Sequence, residues 1–173
     1  MTTADFVKKY QITLESFNRK AMLSELRWTT WGVKDEVMAR KDEILSYLTE
    51  HHEKDEALKA VLLEKSTVIP GLSEIRSIEN ELKKVRIEEF DLRKNDEFEK
   101  LDAIESKRQA LSQQNGDLRC TYPRAVAFLH AEYYADTNNH YQCGPALIAM
   151  QRLIDGDDPD TVTEELNKEI FKR

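Results

Sequence analysis

The feature that most constrains this chain is a highly charged stretch at residues 72–114, which contains neither Gly nor Pro. Its apolar residues recur every three or four positions: Leu72, Ile75, Ile78, Leu82, Val85, Phe90 or Leu92, Phe98, Leu101, Ile104 and Leu111. That spacing places apolar side chains on one side of a helix and leaves charged side chains on the others. The stretch therefore predicts long amphipathic helices.

The centre of this stretch is polar, because residues 93–96 contain no apolar anchor. Asp96 and Glu99 have the spacing of a capping box, in which the first side chain caps the start of a helix. We therefore predict two antiparallel helices, 73–93 and 97–113, that pack in a coiled-coil-like hairpin. A single continuous helix, roughly 60 Å long at 1.5 Å per residue, is the alternative.

Gly and Pro residues lie mostly between the apolar-periodic segments, where they mark the ends of helices. The predicted fold is all-α, a helical bundle with the long hairpin 72–114 at its centre. An N-terminal helical part, 1–71, and a C-terminal helical part, 115–173, complete one or two compact units. The chain has 5 glycines, fewer than an α/β nucleotide-binding fold or a β-sandwich normally uses.

Capping and turn residues predict the helix boundaries of the N-terminal part. The Thr13 hydroxyl can cap a helix that runs from residue 14 toward residue 31. Gly32 can end that helix in the left-handed conformation. A second helical region covers 35–65, and the polar run 51–56 is expected to interrupt it.

The same kinds of residue predict the boundaries of the C-terminal part. Asn115 and Gly116 indicate a turn, and Pro123 suits the first turn of the next helix. A further helix is expected to restart at 144–145, where Gly precedes Pro. Asp158 and Pro159 predict the cap and first position of the last helix.

The charge, hydropathy and cysteine content limit the classes of protein. A net charge of −7 argues against general affinity for nucleic-acid backbone and permits basic partners. No segment has the pattern of a signal peptide, and no apolar run approaches the ~18 residues of a membrane span. We therefore expect a cytoplasmic protein. Cys120 and Cys143 do not form a CxxC pair and are expected to be free thiols.

Residues 5–27 resemble a helix-turn-helix in their rhythm of apolar residues, which are Phe6, Tyr10, Ile12 and Phe17. In a DNA-binding motif of this kind, the second helix needs exposed basic or amide side chains for the major groove. Arg19 and Lys20 are the basic side chains available there. Val7 is bulky where a small residue usually lets the two helices approach, which favours ordinary core packing.

Four carboxylates near the centre of the hairpin suggest a second alternative: Glu88, Asp91, Glu99 and Asp102. Each pair is spaced by three residues and shares a helix face. If the chain reverses near residue 95, the two pairs meet and could hold Mg²⁺ in a metal-dependent helical hydrolase. The competing interpretation is a solvated charged face, neutralised by nearby lysines and arginines.

Other potential metal ligands lack specific spacing. They are His51 and His52 with Glu53 and Glu56, His130 and His140 with Cys143, and the acidic run 155–160. None of the histidine groups has an HxxxH or CxxC spacing, and the acidic run lacks the EF-hand glycine position. The sequence therefore predicts no metal and no cofactor.

Aromatic residues are the remaining functional signal. Seven are candidates for an interface: Trp28, Trp31, Phe90, Phe98, Tyr133, Tyr134 and Tyr141. The sequence contains no phosphate-binding glycine loop and no GxSxG nucleophile motif. We therefore predict a small, acidic, non-enzymatic protein that binds another protein, or a second copy of itself, in an accessory, regulatory or inhibitory role. The DNA-binding regulator and the metal-dependent hydrolase are the alternatives.

Overall fold

The computed structural model describes residues 1–17 and 34–172. These residues contain eight α-helices of six or more residues and no strand. The helices are α1 (Thr3–Lys9), α2 (Lys34–Ala39), α3 (Lys41–Lys65), α4 (Leu72–Lys94), α5 (Leu101–Thr121), α6 (Pro123–Tyr134), α7 (His140–Asp155) and α8 (Pro159–Ile170). Residues 14–17 are also helical. The all-α prediction is confirmed, whereas coiled-coil packing of the hairpin stays a prediction. No helix in the described part of the chain is long and apolar enough to cross a membrane.

The chain divides into two compact units. Met1–Lys65 and Phe128–Arg173 form the first unit, and Ser66–Ala127 form the second, which we call the hairpin unit. Within the first unit, α3 packs against α1 and α7, and α7 packs against α8. One of its core clusters joins the N-terminal segment to α2 and α3 through Phe6, Val7, Ile12, Phe17, Val37, Ile44 and Leu48. Burial of these aliphatic and aromatic side chains stabilises the unit.

The hairpin unit consists mainly of α4 and α5, which run antiparallel. Three ion pairs connect the two helices: Glu79 with Arg119, Glu89 with Arg108, and Arg93 with Glu105. The residue numbers rise along α4 as they fall along α5, which defines the antiparallel direction. The predicted hairpin is therefore present, and one continuous helix is excluded.

The predicted cap at Asp96 is wrong. Asp96 lies in the turn with a φ of 57°, a left-handed conformation that Asp tolerates better than most residues. The chain then continues through a 3₁₀ turn, Phe98–Lys100, before α5 begins at Leu101. Glu97 precedes that turn and makes no capping hydrogen bond with its side chain. The reversal thus depends on backbone conformation and not on a capping box.

Three predicted helix boundaries are also wrong. α5 continues through Asn115 and Gly116, α3 continues through the polar run 51–56, and α7 begins at His140, before Gly144 and Pro145. One Gly costs an α-helix only about 1 kcal/mol, and polar residues are tolerated on an exposed side. By contrast, Asp158 does cap α8, since its side chain accepts a hydrogen bond from the Thr161 amide at 2.9 Å.

Candidate functional site

The predicted interface aromatics are distributed over both units. In the hairpin unit, Phe90 is 66% exposed and Phe98 is 57% exposed. In the first unit, Tyr133 is 78% exposed, whereas Tyr134 and Tyr141 are partly buried. Trp28 and Trp31 lie outside the residues that the structure describes. Phe90 and Phe98 therefore give the hairpin unit exposed apolar surface.

Helix α4 has one buried apolar face, and two of its apolar side chains, Ile87 and Phe90, are exposed outside that face. Ile75, Leu82 and Val85 lie on the buried face. With 3.6 residues per turn, Ile87 and the residues one turn away from it lie on the opposite side of the helix. We call this side the outer face, and its residues are Asn80, Lys83, Lys84, Ile87, Phe90, Asp91 and Lys94, all of them exposed. Ile87 is 55% exposed at the centre of this face.

Within residues 83–91, the charge on and beside the outer face changes sign at Ile87. Lys83, Lys84 and Arg86 precede Ile87, and Glu88 and Asp91 follow it. Lys84 forms an exposed ion pair with Glu81, with an N–O distance of 3.1 Å. Among the described residues, Lys83, Arg86, Glu88 and Asp91 form no ion pair. Four charged groups beside two exposed apolar side chains are therefore available to a partner.

A shallow depression of about 350 Å³ follows one side of the outer face. It is lined by Lys84, Ile87, Glu88, Asp91, Leu92, Asn95 and Glu97. The apolar floor with charged edges is typical of a groove that accepts the ridge of another helix. Ile87 was not among the predicted interface residues. Its position opposite the buried stripe, at the point where the charge changes sign, is the sequence signal that identifies it.

Within residues 83–91, Glu89 is the acidic residue that pairs with an arginine of α5. Its side chain is 15% exposed and lies between Arg93, with an N–O distance of 3.1 Å, and Arg108, at 2.9 Å. The hydrogen bond from Arg93 lowers the pKa of Glu89 below its ordinary value, and the charge of Arg108 lowers it further. Glu89 therefore holds the hairpin together, while its neighbours Glu88 and Asp91 remain exposed.

A chain of hydrogen bonds in the first unit connects Tyr47, His140 and Asp55. The Tyr47 hydroxyl lies 3.1 Å from His140 Nε2, and His140 Nδ1 lies 3.2 Å from Asp55 Oδ2. Because a carboxylate only accepts, Nδ1–H donates to Asp55, and neutral His140 accepts from Tyr47 at Nε2. Burial lowers the pKa of His140, partly offset by the charge of Asp55. Burial also raises the pKa of Tyr47.

These pKa shifts favour a structural role for this chain of side chains. Tyr47 and His140 form part of a cavity of about 300 Å³ that also includes Tyr141. A raised pKa keeps the Tyr47 hydroxyl protonated, which disfavours nucleophilic attack. Cys143 on α7 is fully buried, and burial together with Asp55 raises its pKa to about 12. Its thiol is therefore held in the unreactive protonated form.

The structure does not bring the predicted metal ligands together. Glu88, Asp91, Glu99 and Asp102 are all exposed. In the described part of the chain, no group of three or more His, Cys, Asp or Glu residues could hold a metal ion. The predicted convergence of these four carboxylates is therefore wrong. The Asp158 carboxylate in the run 155–160 caps α8 instead.

The other histidines form local contacts. His51 Nδ1 lies 2.8 Å from the backbone oxygen of Tyr47, and its ring centroid is 4.8 Å from that of His140. His130 Nε2 lies 2.8 Å from Asn167 Oδ1 and joins α6 to α8. These hydrogen bonds account for the positions of both histidine side chains, so neither requires a bound ligand.

The helix-turn-helix hypothesis falls partly outside the described residues. Phe6, Val7 and Phe17 are buried, and the Ser16 amide donates to the Thr13 hydroxyl at 2.9 Å, as the predicted cap requires. Arg19 and Lys20, which would contact DNA, lie outside the described part of the chain. The described half of the motif is thus ordinary core packing, and DNA binding stays a prediction.

Comparisons with known protein families, characterised proteins and solved structures found no match to this chain.

Proposed function

We propose that this protein is a non-enzymatic interaction protein that binds another protein through the outer face of α4. The observation that carries the proposal is the exposure of Ile87, at 55%, on the side of α4 opposite its buried stripe, together with Phe90, which is 66% exposed one turn further along. An exposed Ile and Phe one turn apart are the kind of anchor that a partner helix covers. Burying them removes apolar surface from water and so favours association.

The charges beside these anchors support binding to protein in preference to nucleic acid. Both signs of charge occur within three helical turns, and a nucleic-acid phosphate backbone would be repelled by Glu88 and Asp91. A protein partner can oppose each charge with one of the other sign, which determines the register of the contact. The net charge of −7 agrees with this preference.

A capture experiment with matched variants tests the proposal. The tagged wild-type chain, Ile87→Asp and Ile148→Asp would each be incubated with extract of the cells that produce the protein. Ile148 is 64% exposed on α7 and provides the control for loss of an exposed Ile. We expect wild type and Ile148→Asp to retain the same protein, and Ile87→Asp to lose it. Equal retention by all three variants would refute the outer face as the binding surface.

A further inference from the structure

We infer that the outer face of α4 binds the outer face of a second copy, with the two α4 helices antiparallel and Ile87 at the two-fold axis. This inference rests on the proposed function and names the partner of the same surface. It follows from the order of charges along the helix. Residues 83–86 carry only basic charges and residues 88–91 only acidic ones, so an antiparallel copy places the basic residues of each helix beside the acidic residues of the other.

The positions along the helix agree with this arrangement. At 1.5 Å per residue, Asp91 lies about 6 Å from the level of Ile87, and Lys84 lies about 4.5 Å from it in the opposite direction. When the second copy is reversed about Ile87, its Lys84 comes within about 1.5 Å of the level of Asp91. Both residues lie on the same flank of the contact, the flank of the depression that also includes Glu88. Lys84 of each copy thus faces Glu88 and Asp91 of the other.

The other flank pairs an aromatic ring with cations. Phe90 lies about 4.5 Å from the level of Ile87. In the reversed copy, Lys83 and Arg86 lie on either side of that level. The exposed ring of Phe90 can therefore meet a cation from the second copy, a favourable cation–π contact. Lys94 comes opposite Asn80, which avoids a direct pair of like charges.

A parallel pair of α4 helices lacks this complementarity. A parallel two-fold pair would bring Lys84 of each copy beside Lys83 of the other. Like charges that face each other destabilise an interface. The contact covers about three helical turns. It therefore buries less surface than the ~800 Å² per partner that is typical of a stable complex. We therefore expect a dimer that forms in the micromolar range.

Charge reversal tests the arrangement directly. Sedimentation equilibrium would measure the dimer dissociation constant of wild type, Lys84→Glu, Asp91→Lys and the double variant Lys84→Glu/Asp91→Lys. Each single reversal places like charges together in the dimer, and we expect it to weaken association at least about tenfold. The double variant restores opposite charges between positions 84 and 91 but leaves Glu88 facing a carboxylate at position 84. We therefore expect it to associate more tightly than either single variant without reaching the affinity of wild type. Circular dichroism would verify that all variants remain folded.

Three results would overturn the inference. One is a wild-type chain that stays monomeric up to about 500 µM, well above the expected micromolar dissociation constant. The second is a double variant that associates no better than the single variants. Ile87→Asp should abolish the dimer and Ile148→Asp should preserve it, and the reverse pattern would also refute it. If the chain is monomeric but still captures a cellular protein through Ile87, the self-pairing fails while the proposed function stands. If the chain is monomeric and captures no cellular protein through Ile87, both the self-pairing and the proposed function fail.

Discussion

Gly71 is the glycine whose backbone the start of the hairpin requires. It has a φ of 78°, and an added Cβ would lie 2.2 Å from ring atoms of Tyr122. We expect Gly71→Ala to reduce the free energy of unfolding by about 1–3 kcal/mol, because both the left-handed conformation and the ring oppose it. Urea denaturation would measure the change.

Gly116 provides the matched control in the same unit. It lies inside α5, and no atom is within 4 Å of an added Cβ. We expect Gly116→Ala to raise the free energy of unfolding by about 0.5–1 kcal/mol, because Ala favours a helix more than Gly does. If the free energy of unfolding changed in the same direction in both variants, the surroundings of Gly71 or Gly116 would differ from those in the structure.

The two cysteines should differ sharply in reactivity. Cys120 is exposed on α5, whereas Cys143 is fully buried and has its pKa raised to about 12. At about pH 8 we expect iodoacetamide to modify Cys120 in the native chain and to reach Cys143 only after unfolding, because the thiolate is the reactive form. Mass spectrometry of peptides would show the adducts. Equal labelling of both residues in the native protein would mean that α7 is not packed as described.

His140 should make stability depend on pH. Its folded pKa lies below the ordinary value of 6.5, because burial favours the neutral imidazole. Between 6.5 and the folded pKa the unfolded chain binds the proton more readily, so stability is fully present above pH 6.5 and is lost as the pH falls through that interval. We expect His140→Gln to lose less stability than wild type between about pH 7 and pH 5. Urea denaturation at each pH would compare the slopes, and an equal slope would exclude His140 as the cause.

At the scale of the helix, the two faces of α4 should respond differently to the same substitution. Ile75 is fully buried and Ile87 is 55% exposed. We expect Ile75→Ala to cost about 2–5 kcal/mol through the cavity it leaves, and Ile87→Ala to change stability by less than about 0.5 kcal/mol. Denaturation below the concentration at which the chain associates would measure both. A large loss for Ile87→Ala in the monomer would place that side chain inside the fold.

The helices of the hairpin were predictable because their apolar spacing is strong. The spacing of Ile75, Leu82 and Val85 identified the buried face, and the polar residues 93–96 identified the reversal. The cap at Asp96 was not predictable, since a short polar residue fits both a helix cap and a left-handed turn. Only the backbone of the closed hairpin selects between them.

The candidate surface was harder to predict than the fold. Phe90 was among the predicted interface residues, but Ile87 was not. The apolar periodicity of the sequence places Phe90 or Leu92 in the buried stripe of α4. In the structure, Phe90 is exposed. Which of these side chains contacts α5 depends on the rotation of α4. That rotation is determined by tertiary contacts such as those of Glu89 with Arg108 and of Arg93 with Glu105.

At the scale of the whole molecule, the two units have different parts in this account. The first unit holds the partly buried Tyr47–His140–Asp55 chain and the buried, unreactive Cys143 thiol. The hairpin unit presents unpaired charge and exposed apolar side chains on one helix face. We propose that this face binds protein.

A photoreactive side chain placed at position 90 would test directly whether the outer face of α4 binds protein. A phenylalanine analogue with a benzophenone group would replace Phe90 in one chain and Tyr133, which is 78% exposed, in a control chain. After illumination with cell extract, we expect crosslinked protein from position 90 and little from position 133. A product of twice the 20.2 kDa chain mass would identify a second copy. No crosslinked protein from position 90, or equal yields from the two positions, would contradict the claim.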